Sequence, residues 1–297
     1  MRRPIATALG AVAVSGAACF GWGLIEAGLF TVRRVGLAVL PPGSPELRVL
    51  HVSDIHLLAR QERKLAFLRG LADLDPHLVV NTGDNLSEAA AVGPLVEALG
   101  ALGAVPGVFV FGSNDYYAPR FKNPLRYLLD GRSRMEEEPE ALPWRELRTA
   151  LAGFGWVDLT EQRAKLTVNG LRLSFRGTDD AHLGRDRYAE VAGPADASAA
   201  LNVGVTHAPY LRVLDAMEAD GLDLILAGHT HGGQVCVPGY GALITNCDLD
   251  TARVKGTSRH GESHLHVSGG LGCSPFAPYR FANRPEVTLL TLGPRRP

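Results

Sequence analysis

The chain has 297 residues, 46% of them hydrophobic, enough for one large core, and its 30 basic and 31 acidic residues nearly cancel. So even a balance, spread along the chain, excludes an electrostatic footprint for nucleic acid. The four cysteines, Cys19, Cys236, Cys247 and Cys273, lie far apart with no CxxC pair, which argues against a zinc ribbon or a disulfide framework.

The first element is the run from Ile5 to Ile25, which is uncharged and apolar or small. At about 1.5 Å per residue it is long enough to cross a hydrocarbon layer of roughly 30 Å. Residues 1–34 are therefore expected to be a single-pass membrane anchor. Export after signal cleavage is the alternative, because the run is rich in Ala and Gly and follows Arg2 and Arg3. Arg33 and Arg34 flank its other end, so basic residues on the two sides leave orientation unassigned.

Residues 35–46 read as a joint that ends in the Pro-rich "LPPGSPE", and 47–297 as one catalytic domain. Within it, "LRVLHVS" (Leu47 to Ser53) has the β-branched apolar character of a strand. A helical stretch follows from Gln61 to Leu74, with apolar residues at Leu65, Leu68 and Leu71. "HLVVN" (His77 to Asn81), a helical stretch from Ser87 to Leu102 and "GVFVFG" (Gly107 to Gly112) repeat the alternation, which implies a sheet fed by crossovers. Phe121 to Pro143 carries "RSRMEEEPE" and reads as a solvated surface insertion. In "KLTVNGLRLSFRG" (Lys165 to Gly177), Asn169-Gly170 between two alternating runs predicts a hairpin. "LNVGVTH", "LDLILAGH" and "EVTLLTL" supply three more buried strands, so the class is α/β.

In such sheets ligands gather beyond the carboxyl ends of strands. The polar residues fall there: Asp54 and His56 in "SDIH", Asp84 and Asn85 in "TGDN", Asn114 and Asp115 in "GSND", His207 in "VTH", and His229 and His231 in "AGHTH". Singly, an Asp after a strand is a turn former or a helix cap, and a lone His a surface residue. Five strand ends carrying O or N ligands together point to a metal site. If the chain stays extended, Asp54 with His56 and His229 with His231 face the same way two by two.

Carboxylate, amide and imidazole without thiolate suit Mn, Fe or Zn better than Ca. Six to seven candidates, Asp54, His56, Asp84, Asn114, His207, His229 and His231, are too many for one tetrahedral ion. They fit two divalent ions roughly 3.5 to 4 Å apart, sharing a carboxylate and a water. Such a pair supplies hydroxide near neutral pH and neutralises charge on a phosphoryl group.

These motifs, "DIH", "GDN", "GSND", "VTH" and "GHTHGGQ" in this order, resemble those of the calcineurin-like metallophosphoesterase superfamily, over about Leu47 to Leu292. The resemblance implies a four-layer α/β/β/α sandwich. It also implies that Asp54, His56 and His231 hold one ion and His207 and His229 the other, with Asp84 bridging. The tail "GLGCSPFAPYRFANRPEVTLLTL" and the apolar N-terminal segment look like a branch of bacterial membrane-associated or exported phosphodiesterases, which includes enzymes cleaving the pyrophosphate of UDP-diacylglucosamine.

The third motif departs from the family pattern. Without a gap, Ser113 takes the place of the ligand Asn and Asn114 that of the His; with a one-residue slip Asn114 stays the ligand and Asp115 takes the His position. The slip is favoured because an amide oxygen is the better hard ligand. The family's His stabilises the transition state or protonates the leaving oxygen, and Asp115 and His182 are the candidates to replace it. Arg185 and Arg187, in the same loop as His182, are candidate phosphate clamps or solvated charges. The expected function is a dinuclear phosphodiesterase or pyrophosphate-cleaving hydrolase acting by metal-bound hydroxide, on a phosphate ester or pyrophosphate that a membrane segment would favour being lipid-linked. A non-catalytic metal-binding scaffold at the membrane is the alternative.

Overall fold

The computed structural model describes residues 15–121 and 139–295. Its strands in chain order are β1 Thr31–Leu40, β2 Leu47–Val52, β3 Leu78–Asn81, β4 Gly107–Phe109, β5 Val157–Asp158, β6 Gln162–Val168, β7 Leu171–Gly177, β8 Leu201–Val205 and β9 Leu224–Ala227. A two-residue pair, β10 Cys236–Val237 and β11 Gly241–Ala242, is followed by β12 Gly256–His260, β13 Ser263–Val267 and β14 Glu286–Pro294. The helices used below are α1 (15–26), α2 Glu62–Arg69, α3 Val92–Leu99, α4 Ser113–Tyr116, α5 Trp144–Gly153 and α6 Leu211–Ala219.

Two six-stranded mixed sheets form, in the orders β1-β14-β2-β3-β4-β5 and β12-β13-β9-β8-β7-β6. β2 to β5 run parallel to one another, as do β7, β8, β9 and β13, so their carboxyl ends open on common rims. The central strands are continuous apolar runs because both faces are covered. In β3, Leu78 and Val80 point between the sheets while Val79 points to the helices. The intersheet layer also takes Val49, Val108, Phe175, Val203 and Leu226. Outside it, α2, α3 and α5 pack Leu68, Leu95 and Leu147 on the first sheet, and α6 packs Leu214 and Met217 on the second. The layers are thus α/β/β/α.

The predicted hairpin is present: β6 and β7 pair antiparallel with Val168 opposite Leu171, and Asn169 and Gly170 both take positive φ, as a tight primed turn demands. The domain, however, begins earlier than Leu47. Residues 31–40, divided in the sequence between membrane segment and joint, form β1, the edge strand parallel to β14. Arg33, which read as a membrane flank, gives its Nε to Glu286 Oε2 at 2.9 Å. The Pro-rich part of the joint is a turn closed by Ser44 N to Pro41 O at 3.2 Å.

Residues 5–14 of the apolar segment and 122–138 of the predicted insertion lie outside the described residues. The insertion's far end is not a solvated loop: Leu142 is buried against the first sheet's helices. Among the described residues no helix is long and apolar enough to cross a membrane.

Candidate metal centre

The five loops with predicted ligands converge at the carboxyl ends of β2, β3, β4, β8 and β9. They do not converge by staying extended. Asp54, His56, Asp84, His229 and His231 all hold positive φ, between 44° and 70°, and make up five of the eleven non-glycine residues with that geometry among those described. Left-handed backbone costs such residues on the order of 1–3 kcal/mol each and clusters at functional sites. Each strand therefore ends in a sharp turn that throws its ligand inward.

Ligand atoms of Asp54, His56, Asp84 and His231 all lie within 4.8 Å of one another. His56 Nε2 is 3.1 Å from His231 Nε2 and 3.4 Å from Asp84 Oδ2. On the far side of the same Asp84 oxygen stand His207 Nε2 at 3.5 Å and Asn114 Nδ2 at 2.9 Å. His229 Nδ1 follows at 3.3 Å from His207 Nε2. Asp84 thus sits between two groups of donors, as its predicted bridging place requires. In the third motif it is Asn114, not Ser113, whose backbone and side chain both reach Asp84.

The glycines leave room for this crowding. A Cβ on Gly112 would come within 2.6 Å of His207 Cε1, and one on Gly228 within 2.6 Å of Asp54 Oδ2.

Second-layer contacts orient the rings for ligation. His207 donates its Nδ1–H to Thr82 O at 2.7 Å and His231 its Nδ1–H to Gly272 O at 3.1 Å, which leaves each Nε2 lone pair facing the carboxylates. His229 reverses the arrangement, giving Nε2–H to Asn246 O at 3.2 Å and turning Nδ1 inward. The charges agree. Burial and neighbouring cationic groups hold His229 and His231 well below the usual imidazole range, so both are neutral donors. Burial opposes a proton on His207, but Asp84, Asp180 and Asp54 outweigh it and raise this group to about 9. The carboxylate field calls for positive charge at the centre, and a divalent cation fits both that field and the donor set.

Asp115 does not face the site cavity. It is fully buried, and its two oxygens accept the backbone N–H groups of Asp84, Asn85 and Gly112 at 2.8 to 2.9 Å. Burial, reinforced by Asp84, pushes its carboxyl up to about 6. Its place is behind the bridging carboxylate, as a clamp on the turn. His182, the other candidate for the missing His, faces the cavity. Its ring lies 4.5 Å from that of His229, and its Nδ1 is 3.0 Å from the Tyr210 hydroxyl.

The cavity measures about 670 Å³. Its floor is His56, Asp84, Asn114, His229 and His231, and its outer wall includes Tyr117, Phe121, Val235, Leu243 and Phe276. Arg185 and Arg187 do not line it. The first pairs with Asp179 at 2.9 Å and stacks 4.1 Å over Tyr116; the second pairs with Glu190. Arg120 does line it.

Sequence reasoning also missed two buried cations. Lys64 gives its ammonium to Ile55 O at 2.7 Å and His56 O at 3.3 Å, and burial lowers it to about 8. Arg280, with no exposed surface, gives its guanidinium to the carbonyls of His231, Gly269, Gly270 and Gly272. Each pins the loop of a ligand. Neither is marked in the sequence: Lys64 follows Gln61, Glu62 and Arg63, and Arg280 lies near Asn283 and Arg284.

Comparison with known proteins bears on this geometry directly. The family model described as "Calcineurin-like phosphoesterase" matches residues 47–233, more than half of the chain, and spans every ligand above. The chain belongs to the calcineurin-like phosphoesterases. Among relatives, YpbG of Bacillus subtilis is 30% identical over 257 residues, covering 85% of this chain and 83% of its own. The phosphodiesterase YaeI of Escherichia coli is 26% identical over 279 residues, 90% of each chain. A Bos taurus transmembrane protein with a metallophosphoesterase domain is 26% identical over 273 residues, 88% of this chain and 56% of its own. This calcineurin-like phosphoesterase is therefore a metal-dependent phosphohydrolase, and the scaffold alternative has no structural observation of its own.

Proposed function

We propose that the enzyme is a dinuclear phosphodiesterase or pyrophosphate-cleaving hydrolase. The observation that carries this is Asp84 Oδ2, set 3.4 Å from His56 Nε2 on one side and 3.5 Å from His207 Nε2 on the other. Asp54, His56 and His231 would hold one divalent ion and Asn114, His207 and His229 a second, with Asp84 shared. Mn, Fe or Zn in these places would lower the pKa of a water and neutralise charge on the phosphoryl group.

The chain's own groups do the rest. Asn114 beside Asp84 addresses an equatorial phosphoryl oxygen. His182, the cavity-facing imidazole, delivers a proton to the leaving oxygen, with Tyr210 holding its Nδ1 and Asp180 Oδ1 accepting its backbone N–H at 2.8 Å. Asp115 acts as a positioning residue for Asp84.

For the substrate, the apolar outer wall favours an ester whose leaving or retained group carries hydrocarbon, a lipid-linked phosphate or pyrophosphate. Phe276, Leu243 and Val235 are 50%, 52% and 41% exposed, an unusual amount of apolar surface at the mouth of a hydrolytic site. Phe20 of α1 rests on Tyr279, a residue of the same wall, at 5.7 Å between ring centroids. The apolar segment ahead of β1 would then be a single-pass anchor holding the mouth at the bilayer.

The test is hydrolysis by metal-reconstituted protein of three substrates: a pyrophosphate-linked lipid in vesicles, a cyclic nucleotide and bis-p-nitrophenyl phosphate. Preference for the vesicle substrate supports the lipid reading, and preference for the cyclic nucleotide sinks it. Two ions per chain support the dinuclear centre, one ion refutes it. His182→Gln should lower kcat on the cyclic nucleotide, whose ribose alkoxide is a poor leaving group, by about 100-fold or more, the usual worth of a general acid. It should change p-nitrophenyl release far less; equal losses on both would refute the acid role. Sedimentation of the full chain with membranes after alkaline washing tests the anchor.

A further inference from the structure

α1 has an exposed apolar surface, with Phe20, Leu24 and Ile25 at 57%, 44% and 58%. Its last residue breaks the pattern: Glu26 is only 3% exposed and makes no ion pair among the described residues. Its Oε2 accepts the Trp22 indole N–H at 2.8 Å and the backbone N–H of Ala282 at 3.0 Å, and its Oε1 accepts that of Asn283 at 2.6 Å. Ala282 has φ of +52°, a left-handed conformation that a β-carbon resists. The carboxylate therefore holds an unfavourable turn in place.

What that turn carries is a ligand loop. Asn283 is 5% exposed and gives its Nδ2 to His231 O at 2.7 Å and to Gly232 O at 3.1 Å, while Lys255 Nζ satisfies its Oδ1 at 2.8 Å. Arg280, three residues earlier, also donates to His231 O, and its own backbone N–H is held by Gly23 O of α1 at 3.0 Å. His231 itself sits at φ +50°, so its backbone does not rest in this position unaided.

We propose that Glu26 is a positioning residue for the metal ligand His231, acting through Asn283, and that α1 is part of the catalytic unit. The inference rests on the metal-centre reading above. It has a consequence for processing: cleavage on the carboxyl side of Glu26 would remove the support of His231, so the working enzyme keeps its N-terminal helix. Signal cleavage beyond Glu26 is thereby excluded on grounds internal to the fold.

The experiment uses the full chain with Glu26→Gln, which replaces one acceptor oxygen by a donor facing a backbone N–H, and with Asn283→Ala. Mn²⁺ affinity is titrated directly, thermal melting is recorded on the metal-free forms, and turnover is measured at limiting and excess Mn²⁺. Tyr188→Phe is the control, since it removes a hydrogen bond to Asp220 within the second sheet's helical layer, away from any ligand loop.

Expected is a weakening of Mn²⁺ binding by about 10-fold or more in both variants, the size typical of lost second-layer support. Excess Mn²⁺ should restore most turnover, and Tyr188→Phe should leave affinity unchanged. Unchanged Mn²⁺ affinity in either variant overturns the proposal. So does a loss that excess Mn²⁺ does not reverse, because that outcome marks a purely architectural role. If the unaltered chain binds no Mn²⁺, Fe²⁺ or Zn²⁺, the metal-centre reading fails first and takes this one with it.

Discussion

The two halves of the proposed dinuclear centre are supported differently. Around His56 and His231, buried cations join the support: Lys64 under the His56 loop, and Arg280 with Asn283 under the His231 loop, beside the carbonyl Gly272 O. Around His207 and His229 the support is backbone carbonyls, Thr82 O and Asn246 O, while the buried carboxylate of Asp115 clamps the turn of the shared Asp84. Cationic support spends electrostatic repulsion against the ion to fix its ligands, whereas carbonyl support adds to the ion's attraction. The first half should thus be the rigid but weaker binder, the second the tighter one.

The sharpest test removes what the halves share. Asp84→Ala should abolish both sites, with turnover falling by at least about a thousandfold, the scale of losing an essential group in a concerted site. Retention of one tightly bound ion by this variant would break the comparison at its root. Next in size are Lys64→Met and Asp115→Asn. Lys64→Met should lower the occupancy of the half that holds His56 by about 10- to 100-fold, measured as metal content after dialysis, whereas Asp115→Asn, which loosens the shared Asp84, should lower both. Equal loss of both ions from Lys64→Met would show that the halves are not separately supported.

A smaller effect appears in the metal-free protein as pH changes. His207 is raised from 6.5 to about 9, Asp180 from 3.8 to about 7 and Asp115 from 3.8 to about 6, the two carboxyls mainly by burial and His207 by carboxylates that outweigh burial. In each case the folded state holds a proton that the unfolded chain has released. These three groups favour the fold in acid and lose that contribution as pH rises, through about 4 to 7 for the two carboxyls and about 6.5 to 9 for His207. His51, His229, His231 and His266, held low mainly by burial, act in the opposite sense below about 6.5, where the unfolded chain takes up protons that they refuse. Melting temperature of chelator-treated protein should therefore fall between about pH 6.5 and 8, where His207 acts, and divalent metal should flatten that fall by taking the proton's place. A rise in melting temperature within that window would contradict the charge assignment. Smallest of all, Arg185→Ala should change turnover by less than about twofold, as for a solvated ion pair. A large rise in KM would restore Arg185 to the phosphate site.

Much of the fold and nearly all the ligands were legible because they are local signals. Strands such as "HLVVN" show as apolar runs, the hairpin as Asn169-Gly170, and the ligands as polar residues at strand ends. β1 was hidden because Arg33 and Arg34 interrupt its alternation, and what neutralises Arg33, Glu286, lies 253 residues on. Sequence separation also conceals the links of Glu26 to Asn283, 257 residues apart, and of Arg280 to His231, 49 apart. Asp54 and His56 were expected to align by extended alternation and converge instead through two left-handed residues, a conformation that sequence patterns do not mark at non-glycine positions. Asp115 was misplaced for a related reason: three backbone N–H groups from two separate loops close on it, and only the fold brings them together.

The pairing of Thr31 with Glu286 has a consequence for synthesis. β14 lies between β1 and β2, so until Glu286–Pro294 is available the first sheet has a gap and two unpaired edges flank it. A nascent chain must wait for β14, made more than 230 residues after β2, before that layer can close, with the ligand loops of β2 and β3 already made. Products that stop short of Glu286 are thus expected to be ready substrates for chaperones and proteases rather than partly active enzyme.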